Sequence, residues 1–159
     1  MIALRLMRED DRQSVASLEL LPEQTAYVRP LAQILADLQA HHEPHVITWR
    51  HRVLGFFLID TRCAAAYAFC RPGELGLLGY CIDARRQGEG HGRAAVNGLR
   101  SYLSTIYPTA PAVVLTVNCR NTAAIRSYLG GGFNDTGELY HGGRAGPQHI
   151  FRMPLRSES

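Results

Sequence analysis

The sequence predicts a single mixed α/β domain, on three observations. Apolar runs of strand length alternate along the chain with stretches that carry apolar residues at helical spacing. No repeat, low-complexity tract or linker-like composition divides the 159 residues, a length that suits one core. An apolar share of 46% and a charged share of 19% belong to an ordinary globular chain, not a disordered one. The domain is assigned to 1–156, with 157–159 as a short tail.

The elements follow in order. Ile2, Leu4 and Leu6 alternate and predict a strand. Asp10 or Asp11 then caps a helix whose apolar face continues through Val15 and Leu18. Leu31, Ile34, Leu35 and Leu38 mark a second helical region, loosened around Pro30. "HVITWR" and "VLGFFLID" predict two strands with a tight turn near His51. "GELGLLGYCID" is a further strand that runs into a glycine cluster. A helix over 91–106 follows, packing through Ala94, Ala95, Leu99 and Leu103. "AVVLTV" predicts a buried strand at 112–117. "NTAAIRSYLGGGF" predicts a short helix capped by Asn and stopped by glycines. The tail predicts two strands around a Gly-rich turn. The order is β-α-α-β-β-β-α-β-α-β-β.

Composition excludes several classes. The longest apolar stretch, Val53 to Cys70, is interrupted by Gly55, Asp60 and Arg62, so no membrane span is expected. Charged residues arrive too early for a secretory leader, and a cytoplasmic protein is expected. The net charge is +3, and all seventeen Lys or Arg positions are arginine. Those arginines are scattered apart from Arg85, Arg86 and Arg93, so no nucleic-acid surface is expected. Cys63, Cys70, Cys81 and Cys119 show no C-x-x-C spacing and read as separate thiols. His41, His42 and His45 in "HHEPH" do not form a helical ligand pair, because Pro44 breaks the helix, and no metal is expected.

The chemistry lies in "IDARRQGEGHGRAAV", where Gly88, Gly90 and Gly92 occupy alternate positions among arginines. Glycine inside an element costs about 1 kcal/mol relative to alanine, so the cluster needs a reason. A strand, then glycines, then a helix makes an anion site: the first helical N–H groups lack partners and the helix dipole favours negative charge. The dinucleotide pattern G-x-G-x-x-G fails, since Arg93 and Ala95 stand where its third glycine belongs. The P-loop pattern fails for want of a lysine. Q-x-x-G-x-G fits at Gln87, Gly90 and Gly92. Some thirty residues on, Asn121, Ala124, Tyr128, Gly132 and Phe133 fit N-x-x-A-x-x-x-Y-x-x-x-G-F.

Together these two motifs resemble those of the GCN5-related N-acetyltransferases (GNATs). The resemblance implies a single-domain GNAT fold, a mixed, mostly antiparallel central sheet flanked by helices. It implies acetyl-CoA as co-substrate and transfer of an acetyl group to a primary amine of a small molecule. The pyrophosphate is expected on Gln87, Gly88, Glu89, Gly90, His91, Gly92 and Arg93, and the pantetheine arm along Tyr80, Cys81 and Ile82. Asn121 is expected near that arm as well as at the helix cap. Tyr128 is the expected proton donor to the departing thiolate. A glutamate that some relatives carry on the preceding strand is replaced here by Thr116, and Glu74, Asp83, Tyr140, His141 and His149 remain as candidate bases. A looser resemblance to bacterial diamine and spermidine acetyltransferases implies a polyamine acceptor, with Glu19, Glu23, Tyr27, Glu43 and Glu74 as candidate contacts. Homodimers occur among such proteins. The alternative is a non-catalytic acetyl-CoA-binding module, which the missing glutamate keeps open and Tyr128 opposes.

Overall fold

A computed structural model describes residues 1–143 and 145–156; of Glu23 only the backbone is described. The predicted tail 157–159 lies outside the described residues. The strands are β1 (Ile2–Leu6), β2 (His42–Trp49), β3 (Arg52–Asp60), β4 (Leu75–Ile82), β5 (Ala112–Asn118), β6 (Asn134–Tyr140) and β7 (Gln148–Pro154). The helices are α1 (Arg12–Ala16), α2 (Pro22–Thr25), α3 (Leu31–Ala36), α4 (Cys63–Ala66), α5 (His91–Ile106) and α6 (Thr122–Gly130). The strands form one seven-stranded sheet in the order β1-β2-β3-β4-β5-β7-β6. Every neighbouring pair is antiparallel except β4 and β5.

Strand alternation divides the core between the two faces of the sheet. Leu75 and Leu77 of β4 and Val113, Leu115 and Val117 of β5 meet Leu99 and Leu103 of α5 on one face. On the other face, Val46, Phe56, Leu58 and Cys81 meet Val15 of α1 and Leu31, Ile34 and Leu35 of α3. A third group joins Cys63 and Cys70 to Val114 and Ile150. Val114 pairs with Gly76, and a Cβ on Gly76 would stand 3.0 Å from Cys63 Sγ. The third group therefore shares the face of α1 and α3.

Several local expectations change in detail. Asp11 precedes α1 but its side chain does not cap that helix. It accepts a hydrogen bond from Arg8 N at 2.7 Å and pairs with Arg5 at 2.6 Å, and that bond holds its carboxyl below the usual range. The helical region around Pro30 becomes two short helices, with Pro30 at the start of α3. The β2–β3 turn places Arg50 and His51 in the left-handed region, the geometry of a two-residue hairpin loop. Between β3 and β4 the chain forms α4, a single turn too short to announce itself by periodicity.

The expectation of four separate thiols is corrected. Cys63 and Cys70 form a disulfide, their Cα atoms 5.8 Å apart, because α4 turns the chain back on itself. Cys81 and Cys119 are free.

His45 stands apart from His41 and His42. His45 is fully buried between Phe57, stacked at 4.9 Å, and two tyrosines. Its Nδ1 lies 2.6 Å from the Tyr102 hydroxyl and its Nε2 3.0 Å from that of Tyr107. Burial lowers its pKa to about 4 from an ordinary 6.5. The folded state thus refuses a proton that the unfolded chain accepts. Stability from this group is complete above about pH 6.5 and is lost as pH falls toward 4, by about 3 kcal/mol. Urea unfolding at pH 7.5 and pH 4.5 checks this: a His45→Gln variant is expected to lose less stability between the two than the native protein. An equal loss would contradict it.

Candidate functional site

β4 and β5 pair only at Leu75–Val113 and Gly76–Val114, then part. The parting has local causes. β4 advances three residues, Leu78 to Cys81, while β3 advances two, Leu58 to Phe56. This bulge contains Gly79 at φ +63°, a backbone that side chains disfavour. Tyr80 then turns toward the α5 face, where it meets Tyr128 edge-on at 5.8 Å and Phe57 at 6.2 Å. Its hydroxyl donates to Gly92 O at 2.6 Å, tying the strand to the first turn of α5. Beyond Gly76, the edges of β4 and β5 that face each other have no strand between them.

The glycine cluster closes one end of this gap. Gly88 and Gly90 are left-handed at φ +84° and +81°, and a Cβ on either would meet nothing within 4 Å. The backbone here is bare to its surroundings. Among the described residues, no acceptor receives the N–H groups of Gly88, Glu89, Gly90, His91, Gly92 or Arg93, whereas Ala94 N already donates to Gly90 O at 3.0 Å. Successive free N–H groups at the start of a sixteen-residue helix form a cradle for oxyanions. At Gly92 a side chain would press on Ile82 at 3.3 Å.

Side chains around the cradle contact neighbouring elements. Gln87 turns inward: its Nε2 donates to Gln24 Oε1 at 2.7 Å and to Ile82 O at 3.0 Å, so it braces the loop against α2 and β4. Glu89 pairs with His91 at 2.8 Å. Arg85 grips Asp83 through two bonds, 3.0 and 2.7 Å. Burial would raise the Asp83 pKa, but the bonds from Arg85 outweigh it and hold the carboxyl low. Arg86 lies over the Trp49 ring at 5.6 Å, and Arg93 lies against Gly130 of α6.

Tyr128 projects from α6 into the core on the α5 face. Its ring packs against Tyr80 and, at 5.6 Å, Phe133. Burial pushes its pKa well up, so the phenol keeps its proton at neutral pH. Its hydroxyl makes no hydrogen bond among the described residues. The Cys81 thiol is sealed on the opposite face and burial raises its pKa to about 12, so only its backbone faces the gap. Asn121 Oδ1 accepts from Ala124 N at 3.4 Å and caps α6. Asn118, which sequence reasoning passed over, is buried at the end of β5 and bonds Ala145 O and Arg120 N. Its place is legible only from the fold.

The candidate bases are largely engaged elsewhere. Glu74 is buried and held by Arg152 at 2.8 and 3.1 Å. His149 stacks on Phe151, and Tyr140 packs into an aromatic group with Tyr67 and Phe69. His41, His42 and Asp60 bring donor atoms within 4.8 Å of one another. However, His42 Nδ1 accepts from Gln39 N, which leaves the ring proton on Nε2, and Asp60 already accepts from Arg62 N. No metal role is drawn from them.

No family model and no curated protein matches the sequence. Solved structures do. An aminoglycoside acetyltransferase, AAC(6′)-Ib in complex with coenzyme A, superposes with a TM-score of 0.77 at 19% identity, covering 97% of this chain and 95% of that one. The fold is that of the GNAT acetyltransferases. A spermidine N-acetyltransferase from Vibrio cholerae, in complex with CoA and spermine, gives 0.72 at 18% identity, covering 97% and 95%. A ribosomal-protein alanine N-acetyltransferase from Escherichia coli gives 0.70 at 19% identity, covering 100% and 97%. The mixed, mostly antiparallel GNAT sheet expected from the two motifs is therefore present.

Gly90→Ala separates backbone strain from steric clash in the cradle. The variant is expected to lose about 1 kcal/mol in urea unfolding although its methyl meets nothing, because the left-handed conformation disfavours any Cβ. No loss of stability would mean that the loop does not hold this conformation in solution.

Proposed function

We propose that the protein transfers an acetyl group from acetyl-CoA to a primary amine of a small molecule. The single observation that carries this reading is the conjunction of the β4–β5 gap with the free N–H groups from Gly88 to Arg93 at its end. An extended chain bearing amides and ending in a diphosphate matches both: strand edges for the amides, the helix start for the diphosphate. The fold agrees, and neighbours of that fold were solved with coenzyme A bound.

In this reading Gly88, Glu89, Gly90, His91, Gly92 and Arg93 hold the diphosphate through backbone N–H groups, with Gln87 as a brace. The backbone of Tyr80, Cys81 and Ile82 receives the pantetheine arm, and Asn121 orients the start of α6 beside it. Acetyl-CoA supplies the acyl group and a sulfur that leaves. Tyr128 holds a proton at its Oη, and its raised pKa makes it a donor and not a base. An amine with a pKa near 10 is about one part in a thousand neutral at pH 7, so its proton must leave by another route. Glu74 and Asp83 are bound by arginines and do not serve. Tyr140, His141, His149 or a water chain is left to carry it.

A polyamine acceptor would need several free carboxylates along the gap. Glu74 is occupied by Arg152, and Glu43 accepts from the Tyr107 hydroxyl beside His45, on the α5 face. The Glu23 side chain lies outside the described residues. Of the candidate contacts, Glu19 and Tyr27 remain for a polyamine among the described side chains.

The test is thiol release from acetyl-CoA across a panel of amines, with Tyr128→Phe beside the native protein. Turnover with at least one amine is expected, with kcat lowered 10²- to 10⁴-fold in the variant and coenzyme A affinity unchanged. Binding of coenzyme A without turnover of any amine would favour a non-catalytic acetyl-CoA-binding module.

A further inference from the structure

The cradle is held at its two ends. At one end the Tyr80 hydroxyl donates to Gly92 O at 2.6 Å. At the other the Gln87 amide donates twice, to Ile82 O at 3.0 Å and to Gln24 Oε1 at 2.7 Å. Between them, the N–H groups from Gly88 to His91 find no acceptor among the described residues. Gly88 and Gly90 bring no side chain to pack there, and glycine loses more conformational freedom on ordering than any other residue. Glu89 and His91 pair only with each other. The shape of the cradle is set by the residues that grip its ends.

Gln24 is the distant member of this arrangement. It lies on α2, 63 positions before Gln87. Its Oε1 also accepts from Leu21 N at 3.0 Å, so one half-buried oxygen serves two donors and is fixed by both. The same segment meets the loop once more, where Ala84 N donates to Glu19 O at 2.6 Å. Arg85 stands 4.0 Å from the Glu19 carboxylate, and both side chains are exposed, so that pair adds little. The Glu19 contact is made by backbone and reaches Ala84, before the glycines begin. The Gln24 side chain is the contact that reaches Gln87 itself. Without its oxygen, Gln87 keeps one bond of two, and the loop beyond it gains freedom. A site ordered before its ligand arrives loses less freedom on binding.

We propose that Gln24 is a positioning residue for the coenzyme: through Gln87 it fixes the start of the cradle in the shape that receives the diphosphate. This rests on the acetyltransferase reading above. Titration calorimetry with coenzyme A tests it on the full chain, as a double-mutant cycle of Gln24→Met, Gln87→Met and the two together. Methionine keeps the length of glutamine and removes its amide. Each single variant is expected to weaken coenzyme A binding by about fivefold, the worth of one hydrogen bond. The double variant is expected to match Gln87→Met within about twofold, because Gln24 acts through Gln87. A role confined to α2 would instead add its loss to that of Gln87→Met. Gln24→Glu keeps the accepting oxygen and is expected to bind coenzyme A more tightly than Gln24→Met. Unchanged affinity in folded Gln24→Met, losses that add in the double variant, or Gln24→Glu no better than Gln24→Met overturns the proposal alone. Failure of the native protein to bind coenzyme A overturns the acetyltransferase reading and this proposal with it.

Discussion

The structure depends on the separation of two parallel strands. β4 and β5 are bonded at two positions and then diverge, although continued pairing would satisfy more backbone groups. Gly79 bends β4 away, and the Tyr80 side chain, anchored on Gly92 O, keeps it there. Tyr80, Tyr128 and Phe133 pack on the α5 face as an aromatic series behind the opening. The start of α5 stands at that opening, and the Tyr128 ring packs on Tyr80 beside it. A fold that leaves strand edges unpaired in its centre is arranged for something to occupy them.

The electrostatics of the cradle come from the backbone more than from side chains. Of the arginines that surround the glycines in sequence, Arg85 is paired with Asp83, while Arg86 lies near the Trp49 face and Arg93 near Gly130 of α6. Glu89, an acid beside an anion site, is paired with His91. Free N–H groups and the axis of a long helix remain, and they act at short range without a mobile charge.

Some of this was legible in the sequence. α5 matches the predicted 91–106 because its buried positions, Ala95, Val96, Leu99 and Leu103, repeat at helical spacing after a glycine start. β5 and α6 were legible for similar reasons, a β-branched run and an Asn cap. What escaped depends on contacts distant in sequence. Arg152 reaches Glu74 across 78 positions and Tyr107 reaches Glu43 across 64, so two carboxylates that read as free are bound. The disulfide follows from a four-residue helix with no period to detect. His45 sits near His42 in the chain, yet it joins Tyr102 and Tyr107 under α5, a placement set by tertiary packing.

The central claim is that the backbone from Gly88 to Arg93 receives the diphosphate of coenzyme A. Amide NMR during a coenzyme A titration addresses it directly. The account predicts large downfield shifts of the Gly88–Arg93 N–H resonances, as they gain charged acceptors, with much smaller changes at β1 and β6. Saturable binding that leaves those resonances in place would contradict it.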